Sequence, residues 1–384
     1  MKRLINYFLA LAMAISLCGC AGNVSHELET SPTPTSAATA GQIKHSGFEI
    51  HYIDVGQGDS ALVLCDDEAM LIDGGKSKAS DVIYTYLKKQ NVERLDYIVC
   101  SHADEDHIGG LSAPLSTIDV GGILAPKTGA DTNSYRNIVR KAEERGIEID
   151  NPKPGDEMKL GSSTVEFFGP ITESENDRNN GSIVMKIVYG DTSFLFTGDA
   201  EREEEQEILN AGYDLSADVL KVGHHGSKNS TTYPFLREIM PKYAVISVGK
   251  GNSYGHPTED TLSRLRDADV TVYRTDIQGD IIAKSDGKNV TITTSKNENA
   301  QTNPTEQAKR EQHSAEEKTN TPKPSAGSAA VGTAADGAYI GNKNTKKFHL
   351  PNCGSLPIKE NRVYFDTREA AEESGYNPCG RCKP

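Results

Sequence analysis

Ser101–Gly110 reads SHADEDHIGG. Within six positions it places His102, Asp104, Asp106 and His107, each able to hold a metal ion. The apolar run LDYIVC stands directly before it and reads as a strand. A turn at the end of a rigid strand can aim several side chains at one point. Imidazole and carboxylate together suit zinc, or manganese where oxygen donors dominate. The plainer alternative is a polar loop that caps a helix, with Asp106 at the N-cap. Two imidazoles and two carboxylates followed by Gly-Gly speak for the metal site.

Around this turn the pattern is one of strands, then helices, repeated. FEIHYIDV, SALVLC and AMLIDGG read as strands separated by the turns GQGD and DDE, and SDVIYTYLKKQ reads as a helix. After the turn, STVEFFG, SIVMKIVYG and TSFLFTGD read as strands and EREEEQEIL as a helix. DVLKVG, YAVISVG, TVYRT, GDIIAK and NVTITT complete the strands, with a helix in TEDTLSRLRD. Two such rounds predict layered sheets with helices outside, an α/β fold. Cys65 and Cys100 fall in apolar strands and read as small buried hydrophobes, although an exported protein can also hold a disulfide.

Here the pattern becomes specific. SHADEDHIGG resembles the His-x-His-x-Asp-His signature of the metallo-β-lactamase superfamily, with Asp104 in the place of the second histidine. MLIDGG with Asp73, TGD with Asp199, and KVGHHGS from Lys221 to Ser227 follow in the order of that superfamily. The resemblance implies an αββα sandwich with a two-metal site at one edge. Within the superfamily the chain is most similar to the ComEC-type hydrolase domain of DNA-uptake proteins. The marks are VGQGDS (Val55–Ser60), HxDxDH (His102–His107), the NNGS and TGDAE blocks, LKVGHHGS, and YGHP (Tyr254–Pro257). The usual middle histidine is absent from that group, and Asn179 or Asn180 with Ser182 stands in its place.

The resemblance assigns Asp199 to bridge two divalent metals. His102 and Asp104 would hold one, and Asp106, His107 and one of His224 and His225, with His225 favoured, the other. The remaining histidine of that pair, and His256, would contact the leaving oxygen or a phosphate; His256 also reads as an ordinary turn histidine before Pro257. Asp59 either caps the GQGD turn or orients a ligand histidine, and Gly56 and Gly58 serve either a tight hairpin or a substrate loop. Two cations about 4 Å apart lower the pKa of a shared water and stabilise charge on phosphorus or carbon. A site poor in nitrogen is harder in character, so zinc or manganese are both expected.

The flanks set the organisation. MKR followed by LINYFLALAMAISL and then LCGC (Leu17–Cys20) resembles a bacterial lipoprotein signal, which makes Cys20 the lipidated N-terminus. The alternatives are a plain signal peptide or a short anchor. The expected order is a lipoprotein signal over 1–20, a disordered Ser/Thr/Pro-rich stalk over 21–46, the hydrolase domain over 47–296, a disordered linker over 297–337, and a small module over 338–384. The protein is then exported and held to the membrane through its lipid alone, facing outward. No later segment reaches spanning length, so a channel role is not expected of this chain.

The module carries His349, Cys353, Cys379 and Cys382, two close donor pairs separated by a short fold. That spacing reads as a structural zinc site in an α+β unit too small for a core of its own. A disulfide between Cys379 and Cys382 is the competing reading. The module resembles the metal-binding domain of Ada, with His349 where that family has its methyl-accepting cysteine, so zinc binding is implied and methyl transfer is not.

The formal charge of −14 argues against non-specific adhesion of the whole chain to nucleic acid. Tyr339–Pro384 is different: it carries +3, which leaves −17 elsewhere. Lys343, Lys346, Lys347 and Arg362 form a basic set suited to a phosphate backbone. The expected function is a surface-anchored dinuclear phosphodiesterase or nuclease acting on extracellular DNA, with the module aiding contact. The alternatives are hydrolysis of another ester, such as phosphorylcholine on cell-wall polymers, or of a lactam, and a non-catalytic DNA-binding protein that assists uptake. Oligomeric state is not legible in the sequence.

Overall fold

The computed structural model describes residues 47–127, 131–173 and 177–305, and in a second unit 339–343, 346–351, 353, 356–357, 359–379 and 382–384. The signal and stalk, with Cys20, lie outside the described residues, as do 306–338.

Among the described residues, fifteen strands build the large unit. They are β1 (Phe48–Tyr52), β2 (Ala61–Cys65), β3 (Glu68–Ile72), β4 (Arg94–Val99), β5 (Asp119–Leu124), β6 (Ile149–Asp150), β7 (Glu157–Leu160), β8 (Ser163–Gly169), β9 (Val184–Tyr189), β10 (Thr192–Phe196), β11 (Val219–Lys221), β12 (Tyr243–Ile246), β13 (Thr271–Arg274), β14 (Ile281–Ser285) and β15 (Val290–Thr294). One eight-stranded sheet runs β15-β14-β1-β2-β3-β4-β5-β6, and a seven-stranded sheet runs β13-β12-β11-β10-β9-β8-β7.

Side-chain alternation assigns each strand face to a layer. In β2, Ala61, Val63 and Cys65 enter the core between the sheets, whereas Leu62 and Leu64 face the helix layer. In β10, Phe194 and Phe196 point between the sheets and Leu195 points outward. Helices α1 (Ser80–Lys89) and α4 (Asn133–Arg145) cover the first sheet with Ile83, Leu87, Tyr135 and Ile138. Helices α5 (Arg202–Ala211), α6 (Tyr233–Ile239) and α7 (Glu259–Asp267) cover the second with Ile208, Phe235, Leu236, Leu262 and Leu265. Helix, sheet, sheet, helix is the αββα sandwich expected. Cys65 lies in the core between the sheets and Cys100 under the helices, and they are not joined.

The parallel strands matter for function. β3, β4 and β5 pair in parallel, as do β10, β11, β12 and β13. Their carboxyl ends deliver the loops at 73–75, 101–110, 197–201 and 222–227 to one edge, where open α/β sheets place their ligands. The turn after β4 runs straight into the one-turn helix α2 (Glu105–Ile108), which has Asp104 at its N-cap position and no side-chain cap; the short α3 (Pro114–Thr117) follows. Asp106 therefore lies inside the helix and is not its cap, and the helix opens two residues before His107.

The Gly-Gly that ends SHADEDHIGG is a packing requirement. A Cβ on Gly110 would fall on the Gly74 carbonyl oxygen, and one on Gly109 would lie 2.7 Å from Ser77 N. That contact lets Gly74 N donate to His107 O (2.6 Å) and Gly110 N to Gly75 O (2.8 Å), locking two loops together. Gly58 is similar: its φ is +140° and a Cβ there would meet Asp106 O, so the GQGD turn closes against the metal-motif helix.

One expected boundary shifts. Residues 297–305, assigned above to the linker, are tied to the domain. Asn297 Nδ2 donates to Ile277 O (2.8 Å), Arg274 Nη1 to Thr302 O (3.1 Å), and Asn303 Nδ2 to Leu262 O (3.0 Å); Thr302 is buried. Polar composition suggested a linker, but these residues satisfy backbone and side-chain groups of α7 and β13.

The second unit has a four-stranded sheet in the order Arg362–Phe365, Tyr339–Asn342, Lys347–His349, Asn377–Pro378, with a helix at Arg368–Glu373. Its core is small: Phe348, Phe365, Ala371 and Tyr376.

In the large unit, burial pushes the Glu204 carboxyl up to about 7 from its ordinary 4.5, while Ile171 N donates to its Oε1 (2.8 Å) and offsets part of the effect. A carboxyl raised in the folded state binds more protons there than in the unfolded chain between these two values. Stability attributable to Glu204 is therefore present at pH 4.5 and falls as pH rises to about 7. Denaturant titrations at stepped pH are expected to show this slope in the native chain and a flatter one in Glu204→Gln.

Candidate metal centre

Asp199 is the hub. It follows β10 at the TGD turn and is 4% exposed. Four imidazole Nε2 atoms face its carboxylate: His107 at 3.2 Å from Oδ1, and His224 at 3.5 Å, His225 at 3.8 Å and His102 at 3.9 Å from Oδ2. Asp106 Oδ2 lies 3.8 Å from His225 Nε2, and Asp104 Oδ2 lies 4.0 Å from His102 Nε2. Six of the side chains expected at the large site thus gather around the Asp199 carboxylate, the two histidines of HHGS included.

Each ring is fixed from behind. His107 Nδ1 donates to Asp73 Oδ2 (2.8 Å), His224 Nδ1 to Glu201 Oε1 (3.0 Å), and His225 Nδ1 to the Ser247 carbonyl (3.0 Å). His102 Nδ1 contacts Ser101 Oγ at 3.1 Å. A proton on Nδ1 leaves Nε2 with a lone pair, the state that binds metal. His102, His107 and His225 Nε2, together with Asp199 Oδ1, are buried without a hydrogen-bond partner among the described residues. Buried polar atoms are ordinarily satisfied. Several such atoms converging on one point, all of them nitrogen or carboxylate donors, fit divalent cations.

Asp59 settles as a positioning residue. Its Oδ1 lies 3.0 Å from His225 Nδ1, and its Oδ2 accepts from Lys221 Nζ at 2.6 Å. One donor atom each from Asp59, His107, Asp199 and His225 lies within 4.8 Å of the others. Oδ2 is taken by Lys221, whereas Oδ1 is buried without a hydrogen-bond partner among the described residues, so Asp59 stands beside His225 with one oxygen still open to the donor set. Burial alone would raise its pKa; Lys221 and His225 beside it hold it well below the usual carboxylate range. Of the two roles read from the sequence, capping the GQGD turn or orienting a ligand histidine, its contact with His225 favours the second.

Asp104 is the outermost donor, a third exposed, and its Oδ1 is held by Arg178. Asn179, Asn180 and Ser182 brace the turn that carries Asp199. Asn180 Oδ1 accepts from Glu201 N (2.9 Å), Ser182 Oγ accepts from Asp199 N (3.0 Å), and Asn179 Nδ2 donates to Glu201 Oε1 (3.2 Å). His256 lies edge-on to His224 with centroids 5.6 Å apart. Burial, with His224 and His225 close by, pushes its pKa down to about 4.

Several partners had not been read from the sequence. Asp73, in the left-handed region at φ 57°, accepts from Ser101 N (2.8 Å) and Ser101 Oγ (2.6 Å) besides holding His107. A carboxylate closing an apolar strand in MLIDGG was the available signal. Lys221, a lysine in a fully buried three-residue strand, was the signal for Asp59. Glu201 closes the TGDAE block, and Arg178 carried no signal.

In the second unit, His349, Cys353, Cys379 and Cys382 bring one donor atom each within 4.8 Å of one another. Parallel pairing of Phe348 with Pro378 sets His349 beside Cys379, and Cys379 N donates to Phe348 O (2.9 Å). Burial, with Lys347 near, holds the His349 imidazole below its usual range, in the neutral form that ligates. Three thiols and one buried imidazole gathered in this way make a zinc-type group, and none of the described cysteines is in a disulfide.

Residues 53–250 match the family model of the metallo-beta-lactamase superfamily. The chain belongs to the metallo-beta-lactamase superfamily. Residues 329–384 match the metal binding domain of Ada. ComE operon protein 3 of Bacillus subtilis (strain 168) is 34% identical over 251 residues, 61% of this chain and 32% of that protein. Competence protein ComA of Neisseria gonorrhoeae is 33% identical over 261 residues, 67% of this chain and 34% of that protein. The chain spans about a third of the length of these relatives. The solved metallo-beta-lactamase fold protein YhfI from Bacillus subtilis aligns at 14% identity and TM-score 0.42, over 64% of this chain and 100% of that one. The large unit is therefore a metal-dependent hydrolase domain of the superfamily, in a competence-associated group.

Two outcomes follow from this geometry. Asp73→Ala frees the His107 ring and is expected to weaken divalent-metal binding about 10- to 100-fold, measured by titration calorimetry. Cys379→Ser is expected to remove one zinc equivalent per chain in elemental analysis and to make 339–384 sensitive to protease while 47–305 stays resistant.

Proposed function

We propose that this chain is an extracellular phosphodiesterase acting on DNA or another phosphodiester, lipid-anchored through Cys20, with the zinc module aiding contact with nucleic acid. The observation that carries the reading is the carboxylate of Asp199 faced by four Nε2 atoms, with Asp104 and Asp106 on its flanks. Two divalent cations held there supply Lewis acidity towards a phosphoryl oxygen and lower the pKa of a nearby water. The chain's own residues do the rest. His102, Asp104, Asp106, His107, Asp199 and His225 hold the ions, with zinc or manganese both compatible. His224, whose Nδ1 proton is held by Glu201, turns its bare Nε2 towards Asp199, while the neutral ring of His256 edge-on to it has one N–H to offer a phosphate oxygen.

Asp104 in the second position makes the first site richer in oxygen, which suits a harder ion such as manganese. The competence names of the relatives favour a phosphodiester over a lactam. For the module, the support is its local charge of +3 in a chain of −14. For the anchor, it is the LCGC stretch. No helix among the described residues is long and apolar enough to cross a membrane.

The test offers the purified chain, loaded with Mn²⁺ or Zn²⁺, four substrates: plasmid DNA, bis-p-nitrophenyl phosphate, p-nitrophenyl phosphorylcholine and a chromogenic cephalosporin. Metal-dependent cleavage of the first two is expected, falling about 100-fold or more in Asp199→Ala. Cleavage of the choline ester alone would move the substrate to cell-wall polymers. DNA binding without turnover of any substrate would replace the enzyme with a binding protein.

A further inference from the structure

Tyr254 lies outside the donor set but is joined to it through aromatic rings. His256, edge-on to His224, stacks on Tyr254 with centroids 5.8 Å apart and planes 26° apart. Tyr254 is 58% exposed, although its loop is tightly built. Asn252 Oδ1 accepts from both Tyr254 N and His256 N (3.1 Å each), and Asn252 Nδ2 donates to Gly249 O (3.0 Å) and His256 O (2.6 Å). Gly249 N in turn donates to Gln57 Oε1 (3.1 Å), which ties the loop to the GQGD turn. Lys76, just after the DGG turn, places Nζ 5.9 Å from the Tyr254 ring centroid. A rigidly mounted, exposed ring and an ammonium group therefore stand together, two ring contacts from the metal centre.

We propose that Tyr254 is a stacking platform for an unpaired nucleobase next to the scissile phosphate, with Lys76 meeting a neighbouring phosphate of the same strand. The proposal rests on the phosphodiesterase reading and narrows its substrate to single-stranded nucleic acid or a nucleotide diester. Every base has a π-face, so an exposed ring binds single strands with little regard to sequence. In a duplex the bases are stacked on one another, and a base must leave the helix before it can meet a ring. Lys76 also argues against choline. An aromatic ring attracts a quaternary ammonium, but a lysine ammonium already beside the ring repels one. On a chain of −14, a polyanionic strand needs such local contacts to remain at the site.

The experiment compares two diesters with one leaving group, thymidine 5′-p-nitrophenyl phosphate and methyl p-nitrophenyl phosphate, on the Mn²⁺-loaded full chain. The native chain is expected to prefer the nucleoside diester. In Tyr254→Ala the kcat/KM ratio of nucleoside to methyl substrate is expected to fall about 5- to 150-fold, chiefly through KM, the range that base–aromatic stacking spans. Tyr254→Phe keeps the ratio. An unchanged ratio in Tyr254→Ala overturns the proposal. If neither diester is cleaved, the phosphodiesterase reading fails and binding decides the platform: fluorescence anisotropy of labelled oligothymidylate against an abasic oligomer of equal length. Tyr254→Ala is expected to weaken the first and not the second; equal affinities of the native chain for both overturn the platform.

Discussion

The structure is organised around the enclosure of the Asp199 carboxylate by imidazoles. The donors come from three distant stretches, at 102–107, 199 and 224–225, and from both sheets. Each stretch must arrive at the edge of the sandwich with its side chains already aimed. Parallel pairing of β3 with β4, and of β10 with β11 and β12, brings the loops to one edge. Hydrogen bonds to the far side of each ring set its rotation. Backbone strain is part of this aim: Asp73, His224 and His225 all sit at positive φ, at 57°, 49° and 53°. Such conformations cost about 1–3 kcal/mol each and persist where surrounding contacts determine them.

A second layer of buried polar groups makes the first possible. Asp73 holds His107 and Ser101, Glu201 holds His224 and is itself gripped by Asn179 and Asn180, and Asp59 with Lys221 holds His225. The Asp59–Lys221 pair is buried on both sides. Breaking such a pair by removing one partner leaves an uncompensated charge and is strongly destabilising. It also connects the first hairpin to a strand in the second half of the domain, so orientation of the last histidine depends on the first turn.

Much of this was legible in sequence, for identifiable reasons. Strands such as ALVLC and TSFLF alternate cleanly between two cores, so their apolar pattern marks them. The ligand turn was legible because its residues are crowded into six positions. The helix Asn133–Arg145 was passed over because only Tyr135, Ile138 and Ala142 on it are buried, too thin a stripe to stand out. The strand Asp119–Leu124 was hidden by its two glycines, and 297–305 by polar composition that in fact serves packing. The supporting partners were hardest to see. Arg178 meets Asp104 far along the chain, and no local pattern records that.

Asp104 and Arg178 together bear on how this site relates to its superfamily. A carboxylate in that position invites a cation, and Arg178, 74 residues away, meets it. The two positions are therefore chemically interlocked. A histidine at 104 would add nitrogen to the first site but leave a guanidinium facing it, and its positive charge would oppose the ion that the histidine was meant to hold. A route from this site to one with the full histidine signature must pass through both residues, and the order matters: an intermediate that gains the imidazole before losing the arginine is electrostatically the poorer of the two.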